Sequence, residues 1–246
     1  MTSHDLHKVK RFLFKSSYCT FGDVAILAIL TTLILTEPYP IDENDKYLKR
    51  CVELIKKKLL VLEALLPGYN ERERCEYVEC FLDMAIKIAR NVTGKKITRH
   101  PQLDITGEDN TGRVDYAIKY LSEIVCIIKG KFCNVLEGVV QNLLQLKNSS
   151  QKNKRRADVA FEEEDYIYGM VTTAELWYFL KYTNEGVFCT NNNPLKVEFN
   201  ESALEDPNEE LKLRNNVRKV LEVIVGLLID KLGTNEPPVK KAKQEM

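Results

Sequence analysis

The fold of the middle of the chain is decided by residues 111–131, which read TGRVDYAIKYLSEIVCIIKGK. Residues 113–118 alternate as a strand does, and residues 123–128 form a short apolar, β-branched run that is typical of a central strand. Three further strands are predicted over residues 166–173, 177–180 and 197–199. A small sheet therefore forms the centre of the predicted fold.

Apolar residues at helical spacing surround these strands. They predict helices over residues 24–35, 44–66, 70–91, 138–146 and 208–232, while the polar, basic stretch 148–156 is predicted to be a loop. This order predicts a mixed α/β (α+β) fold with a small central sheet and flanking helices. We divide the chain into an N-terminal helical segment (1–66), the domain that holds the sheet (67–233) and a disordered basic tail (234–246).

The composition excludes several classes of protein. With 36 basic and 36 acidic residues the net charge is zero, so the chain is not uniformly cationic, although a local basic patch remains compatible with nucleic-acid binding. Seven cysteines without a CxxC pair predict reduced, mostly buried thiols, and three histidines disfavour a zinc site. The apolar run 24–35 is shorter than the ~20 residues that span a bilayer, so we expect no membrane partner and favour a buried helix over a cleaved signal.

One set of side chains is suited to phosphodiester chemistry. Hydrolysis with Mg²⁺ needs hard oxygen ligands on the metal and a cation near the attacked phosphate. Asp115 in one strand, Lys131 after the next strand and Glu76 on the helix upstream provide three of the four expected parts. The fourth part is an acid two residues before Lys131, on the same side of the strand, and Lys129 stands there instead.

These residues carry a resemblance to a known family. The stretches NERERCEYVECFLDMAIKIAR (70–90), RHPQLD (99–104), GRVDYAIK (112–119), IVCIIKGK (124–131), VVQNLLQL (139–146) and YIYGMVTTAELWYFLKYT (166–183) resemble the nuclease-type domain of fungal Crinkler proteins. Those domains belong to the PD-(D/E)xK restriction-endonuclease-like superfamily. The resemblance covers residues 70–183 best and implies a restriction-endonuclease-like fold for the domain 67–233, with Mg²⁺ as the cofactor of an active member.

The resemblance also assigns roles to individual residues. It implies that Glu76 is the helix acid, Asp115 the metal-binding aspartate and Lys131 the catalytic lysine. Gln141 and Gln145 match glutamines that lie beside the DNA backbone in similar domains. Each of these residues also has a plainer interpretation as an exposed side chain of its helix, strand or turn.

Lys129 departs from the family pattern, which has glutamate at this position. Lysine cannot ligate Mg²⁺, and the change adds two units of positive charge, each worth about 4 kcal/mol at ~4 Å and an effective dielectric of ~20. We therefore expect metal binding at Asp115 to be weak unless Glu137 substitutes as a ligand. Lys129 and Lys131 still form an anion site, which predicts a degenerate nuclease that binds nucleic acid, most simply DNA, without hydrolysing it.

The tail suggests a cellular address. Lys240, Lys241 and Lys243 follow a pair of prolines and resemble a nuclear import signal that an import receptor would bind. The family resemblance implies an effector, which would reach a host nucleus after secretion. Two other functions stay open, namely an active metal nuclease that uses Glu137 and a helical protein-interaction module built on residues 1–66.

Overall fold

The structure, a computed structural model, describes residues 31–32, 36–62, 71–106, 111–130, 135–156, 166–183, 186–189 and 194–233. Within these residues the chain forms four α-helices: α1 (Lys46–Leu62), α2 (Glu71–Thr93), α3 (Val135–Arg156) and α4 (Pro207–Leu232). It also forms eight strands: β1 (Thr31–Thr32), β2 (Ile97–Thr106), β3 (Thr111–Tyr120), β4 (Glu123–Gly130), β5 (Ile167–Thr172), β6 (Leu176–Tyr182), β7 (Val187–Cys189) and β8 (Leu195–Lys196). A short 3-10 turn (Glu201–Leu204) precedes α4.

All eight strands belong to one mixed sheet. Its order is β1-β7-β6-β5-β4-β3-β2, and β8 pairs with β6 beside this path. The pairs β4–β5 and β1–β7 are parallel, and the other neighbours are antiparallel. A parallel pair needs a long crossover connection, and α3 provides it between β4 and β5. The sheet has more strands than the sequence predicted.

Helices cover both faces of the sheet. The larger core lies against α1, α2 and α4, and its fully buried aromatic side chains include Tyr77, Phe81 and Trp177. The smaller core lies under α3 and contains Ile127, Val139 and other aliphatic side chains. The predicted mixed α/β fold with a central sheet and flanking helices is therefore confirmed. Helix α1 contributes buried residues to the same core as α2 and α4.

Two helices end as their sequences predict. Gly94 (φ +65°) follows α2 and Gly233 (φ +71°) follows α4, and each donates its backbone N–H to a carbonyl of the last turn. At the other end of α4, the Asp206 side chain accepts a hydrogen bond from the N–H of Asn208, and Pro207 occupies the first turn, where a missing N–H costs nothing.

The structure corrects several predictions about elements. Strand β2 was not predicted because its sequence, ITRHPQLDIT, contains a proline and few apolar residues; it lies at the edge of the sheet, where such residues are tolerated. The last predicted strand (197–199) is found at Leu195–Lys196, and β7 was missed. Thr31–Thr32 form a strand inside the stretch predicted to be helical over 24–35; the rest of that stretch, 24–30 and 33–35, lies outside the described residues.

The basic stretch 148–156, which was predicted to be a loop, continues helix α3. Asn153 fixes this part of the helix to the sheet: its Nδ2 donates to the carbonyl of Ile124 (3.0 Å), and its Oδ1 accepts from the N–H of Ile124 (3.3 Å). Ile124 lies at the start of β4, about 17 Å along the strand from Lys129. The end of α3 is therefore at the opposite end of β4 from the predicted phosphate site.

No helix among the described residues is both long enough and apolar enough to cross a membrane. The described cysteines are free thiols, and all except the half-buried Cys75 are buried.

Candidate functional site

A cavity of about 950 Å³ lies where α1 and α2 meet the strands β2, β3 and β4. Its charged lining residues are three cations and three carboxylates: Lys58, Arg72, Lys129, Glu76, Glu79 and Asp115. The predicted residues Glu76, Asp115 and Lys129 thus border one cavity, although they come from a helix and two strands. The strand acid, the lysine of the neighbouring strand and the helix acid are far apart in the sequence but line the same cavity.

Asp115 and Lys129 form an ion pair across the antiparallel strands β3 and β4. Nζ of Lys129 lies 2.7 Å from Oδ1 of Asp115, and the backbone N–H of Gly130 donates to Oδ2 over 2.7 Å. The pair of Tyr116 with Ile128 in the strand register makes residues 115 and 129 neighbours. Only 12% of the Lys129 side chain and 21% of the Asp115 side chain are exposed. Each oxygen of this carboxylate therefore already has a hydrogen-bond donor.

Gly130 allows this close approach. A Cβ at this position would lie 3.3 Å from Sγ of Cys75 and 3.6 Å from Oδ2 of Asp115. A side chain here would crowd Sγ of Cys75 on α2 and would make an ordinary contact with the carboxylate. The absence of a side chain at residue 130 therefore leaves room for Cys75 of α2 beside the ion pair.

Glu76 has a lysine partner of its own. Nζ of Lys58, on α1, lies 2.9 Å from Oε2 of Glu76, on α2. This pair is more open than the first, with 27% of the Lys58 side chain and 43% of the Glu76 side chain exposed. Both candidate metal-binding carboxylates are consequently paired with an ammonium group, and the two lysines come from different elements.

Glu79 and Tyr116 complete one wall of the cavity. The Tyr116 hydroxyl donates to Oε1 of Glu79 (3.1 Å), and Nη1 of Arg99 donates to the same oxygen (3.0 Å). Burial, together with Cys75 and Glu79 nearby, raises the pKa of Tyr116 well above its ordinary value. The hydroxyl therefore stays protonated and acts as a hydrogen-bond donor at neutral pH.

The sequence interpretation missed part of this site. Glu79 lies three residues after Glu76, so helical spacing already places it on the same face of α2. Lys58 is one of several lysines on α1, and no local signal in the sequence separates it from the others. Arg72 and Gln102 were also missed; both are exposed and line the cavity.

The other predicted site residues lie elsewhere or outside the described residues. Gln145 is 7% exposed and donates through Nε2 to the carbonyl of Arg113 (3.0 Å), so its amide serves the backbone of β3. Gln141 is half-buried on α3. Neither glutamine lines the cavity. The following lie outside the described residues: Lys131, the side chain of Glu137, and the tail lysines Lys240, Lys241 and Lys243.

The described side chains do not fit a Mg²⁺ ion as they are arranged. Within the described ranges, no group of three His, Cys, Asp or Glu residues is close enough to hold a metal ion. Asp115 and Glu76 are each engaged by a lysine, and the Lys129 ammonium, which cannot ligate a cation, lies directly against the Asp115 carboxylate.

Comparisons with known proteins add little to this geometry. No protein-family model matches the chain, and no curated protein matches its sequence. Among solved structures, the chain is similar to the type IIG restriction endonuclease BpuSI, with 14% sequence identity and a TM-score of 0.36. The match covers 82% of this chain and 19% of that enzyme, so the chain spans about a fifth of its length. A similarity at this level does not identify the site.

Proposed function

We propose that this chain is a nuclease-like protein in which a lysine has taken the place of the metal, so that it binds nucleic acid through the phosphate backbone and does not hydrolyse it. The observation that carries the proposal is the 2.7 Å ion pair between Lys129 and Asp115. An ammonium group now neutralises the carboxylate that a divalent cation would require. A lysine at position 129 therefore prevents metal-dependent hydrolysis but leaves a positive charge in the cavity.

The chemistry of the ammonium group supports phosphate binding. It has three N–H donors, of which one is directed at Asp115, and phosphate oxygens are acceptors. Unlike a divalent metal, it does not lower the pKa of a bound water far enough to produce a nucleophile at neutral pH. Arg72 lies exposed at the start of α2 on the border of the same cavity and supplies a second cation.

The balance of charge around the cavity limits the expected affinity. Three cations face three carboxylates, so a polynucleotide gains few net phosphate contacts. Binding that neutralises one or two phosphates falls about tenfold or less between 50 and 200 mM salt, much less than for strongly basic DNA-binding proteins. We expect weak, moderately salt-dependent binding.

A binding experiment in EDTA tests the proposal directly. Fluorescence anisotropy with a labelled single-stranded and a labelled duplex oligonucleotide should show binding by the wild-type chain without any metal. Lys129→Met should weaken it several-fold. The matched control is Lys87→Met, since Lys87 is an exposed lysine of α2 away from the cavity. The proposal fails if the wild-type chain does not bind, or if the two variants bind equally.

A restoration experiment tests the nuclease ancestry. Lys129→Glu replaces the ammonium by the acid of the family pattern, and adding Lys58→Met frees Glu76. Isothermal titration should detect Mg²⁺ binding in Lys129→Glu and tighter binding in the double variant, and plasmid cleavage should follow the same order. Lys87→Glu controls for the change in charge. If the double variant is folded but binds no Mg²⁺, the location assigned to the site is wrong.

Plasmid cleavage by the wild-type chain with Mg²⁺ or Mn²⁺, abolished by EDTA, would replace this proposal by an active nuclease that uses another acid such as Glu137. We also propose that an import receptor binds Lys240, Lys241 and Lys243 and carries the chain into the nucleus. A relationship to the Crinkler effectors is a further proposal. Fusion of residues 234–246 to a fluorescent protein tests the first: nuclear accumulation that is lost when the three lysines become alanines supports it.

A further inference from the structure

Strand β2 contains an unusual backbone conformation at Gln102. Three described residues other than glycine have a positive φ: Gln102 (+46°), Leu121 (+55°) and Ala174 (+72°). Leu121 lies in the short turn between β3 and β4, and Ala174 in the turn between β5 and β6, where such angles are common. Gln102 lies inside a ten-residue strand, where an extended backbone is expected.

The strand register places this residue opposite the candidate site. Pro101 pairs with Tyr116, and Leu103 pairs with Val114, so Gln102 is the cross-strand neighbour of Asp115. Gln102 and Asp115 do not themselves form a pair of the ladder, as expected at a local distortion of the strand. Gln102 also lines the cavity with Asp115 and Lys129. The irregular backbone therefore occurs next to the ion pair that carries the proposed function.

The sequence and the position in the sheet make this irregularity possible. Pro101 has no N–H to donate to the ladder, and β2 is the edge strand, so a local distortion disturbs only the pairing with β3. A positive φ in a residue with a side chain nevertheless costs free energy and persists where the surroundings or the function require it. Distortions of edge strands next to functional sites typically redirect a side chain.

The amide of Gln102 is available to a ligand. The side chain is exposed, and it makes no hydrogen bond or ion pair within the described part of the chain. An amide offers both donors and an acceptor, as do the edges of nucleobases and the sugar hydroxyls, whereas a phosphate offers acceptors only. A nucleotide whose phosphate is at Lys129 would have its base or sugar within reach of the cavity wall formed by β2.

We propose that Gln102 is a ligand-contacting residue, whose distorted backbone directs its amide at the base or sugar of the nucleotide held beside Lys129. This inference rests on the proposed function, since it names a further residue of the same site. It predicts that the conformation serves binding at the expense of stability. Relieving it should therefore have opposite effects on the two.

Three variants of Gln102 test this relation by thermal unfolding and by oligonucleotide anisotropy in EDTA. Gln102→Gly removes both the strain and the amide, so we expect the Tm to rise by about 2–4 °C and binding to weaken about threefold to tenfold. Gln102→Ala should weaken binding equally without that rise. Gln102→Asn keeps an amide on a residue that tolerates positive φ, and it should retain most of the binding.

A second glycine variant in β2 shows what glycine alone does to the Tm and to binding at a position away from the cavity. Thr106 is an exposed residue at the end of β2 and does not line the cavity, so Thr106→Gly should lower the Tm and leave binding unchanged. If the wild-type chain binds and Gln102→Gly and Gln102→Ala bind as tightly, the inference is wrong while the proposed function stands. If the wild-type chain does not bind, both fail.

Discussion

Polar side chains around the cavity differ in kind from those beneath α3. The cavity is bordered by charged side chains that pair with one another, such as Lys129 with Asp115. Beneath α3 the polar side chains that bind the backbone of the sheet are uncharged amides, those of Asn142, Gln145 and Asn153. Nδ2 of Asn142 donates to the carbonyls of Ile127 (3.2 Å) and Met170 (3.3 Å), and so links the parallel strands β4 and β5.

The difference shows which polar residues are available to a ligand. Asn142 and Gln145 are buried and bound to strand carbonyls, and each also has a buried side-chain oxygen without a partner in the described part of the chain. Such groups hold elements together, because moving them would leave further buried groups unsatisfied. The charged pairs border a cavity and can exchange partners with an anion. Under the proposed function, the amides beneath α3 hold the sheet together, and the charged groups of the cavity are the ones that a ligand can reach.

The strongest test of this division is a change beneath α3. A Cβ at Gly169 would lie 2.1 Å from Oδ1 of Asn142 and 2.8 Å from Cδ1 of Leu146, so Gly169→Ala should lower the free energy of unfolding by about 2–3 kcal/mol in urea titrations. Gly112→Ala is the matched control, because its Cβ would meet the Gln145 side chain at 3.8 Å, an ordinary contact. Equal stability of the two variants would contradict the close packing of Asn142 on the sheet.

The second test compares the two ion pairs of the cavity. Lys129→Met leaves the mostly buried Asp115 without its ammonium partner and should lower the free energy of unfolding by about 1–2 kcal/mol. Lys58→Met removes the partner of Glu76, which is more exposed, and should lower the free energy of unfolding by less than about 1 kcal/mol. Urea titrations at low salt measure both. If Lys58→Met lowered the free energy of unfolding more than Lys129→Met, the less exposed ion pair would not be the more stabilising one.

The smallest expected effect on stability is that of Tyr116, whose uncharged hydroxyl donates a hydrogen bond to Glu79 in the cavity wall. Since its pKa is raised in the folded chain, the phenol ionises first in the unfolded chain, near pH 10. Its contribution to stability is therefore complete below that pH and is lost as the pH rises above it. Unfolding measured between pH 9 and pH 11 should show a steeper fall for the wild-type chain than for Tyr116→Phe. Parallel curves would mean that the hydroxyl is exposed.

Part of the cavity could be predicted because Asp115 and Lys129 lie on two neighbouring strands that the sequence identifies. Two strands joined by a two-residue turn must be antiparallel, but that turn alone would place residue 115 opposite residue 128. A one-residue register shift at Ile118 and Lys119, which the sequence does not reveal, brings residue 115 opposite residue 129. Period-two alternation identifies β3, and a short apolar, β-branched run identifies β4. The sequence predicts that the Lys129 ammonium weakens metal binding, whereas its ion pair with Asp115 depends on the tertiary arrangement of the two strands.

The remainder depended on tertiary contacts that the sequence does not encode locally. Lys58 is one of many lysines on α1, and only the packing of α1 on α2 selects it as the partner of Glu76. Strand β2 has a polar, proline-containing sequence and is a strand because β3 offers it an edge. The end of α3 is helical although it is polar and basic, and Asn153 attaches it to Ile124 of the sheet. Residues 1–30, which the sequence assigns in part to a helix, lie outside the described residues.

The pairing of Lys129 with Asp115 also has an evolutionary consequence. Codons for lysine and glutamate differ by one base at the first position, so a single transition would replace the internal cation by a metal-binding acid. Because Asp115 and the neighbouring glycine are already in place, such a mutant would start from a preorganised strand pair. Under the proposed function, a population that carries this sequence therefore lies one mutational step from half of a metal site.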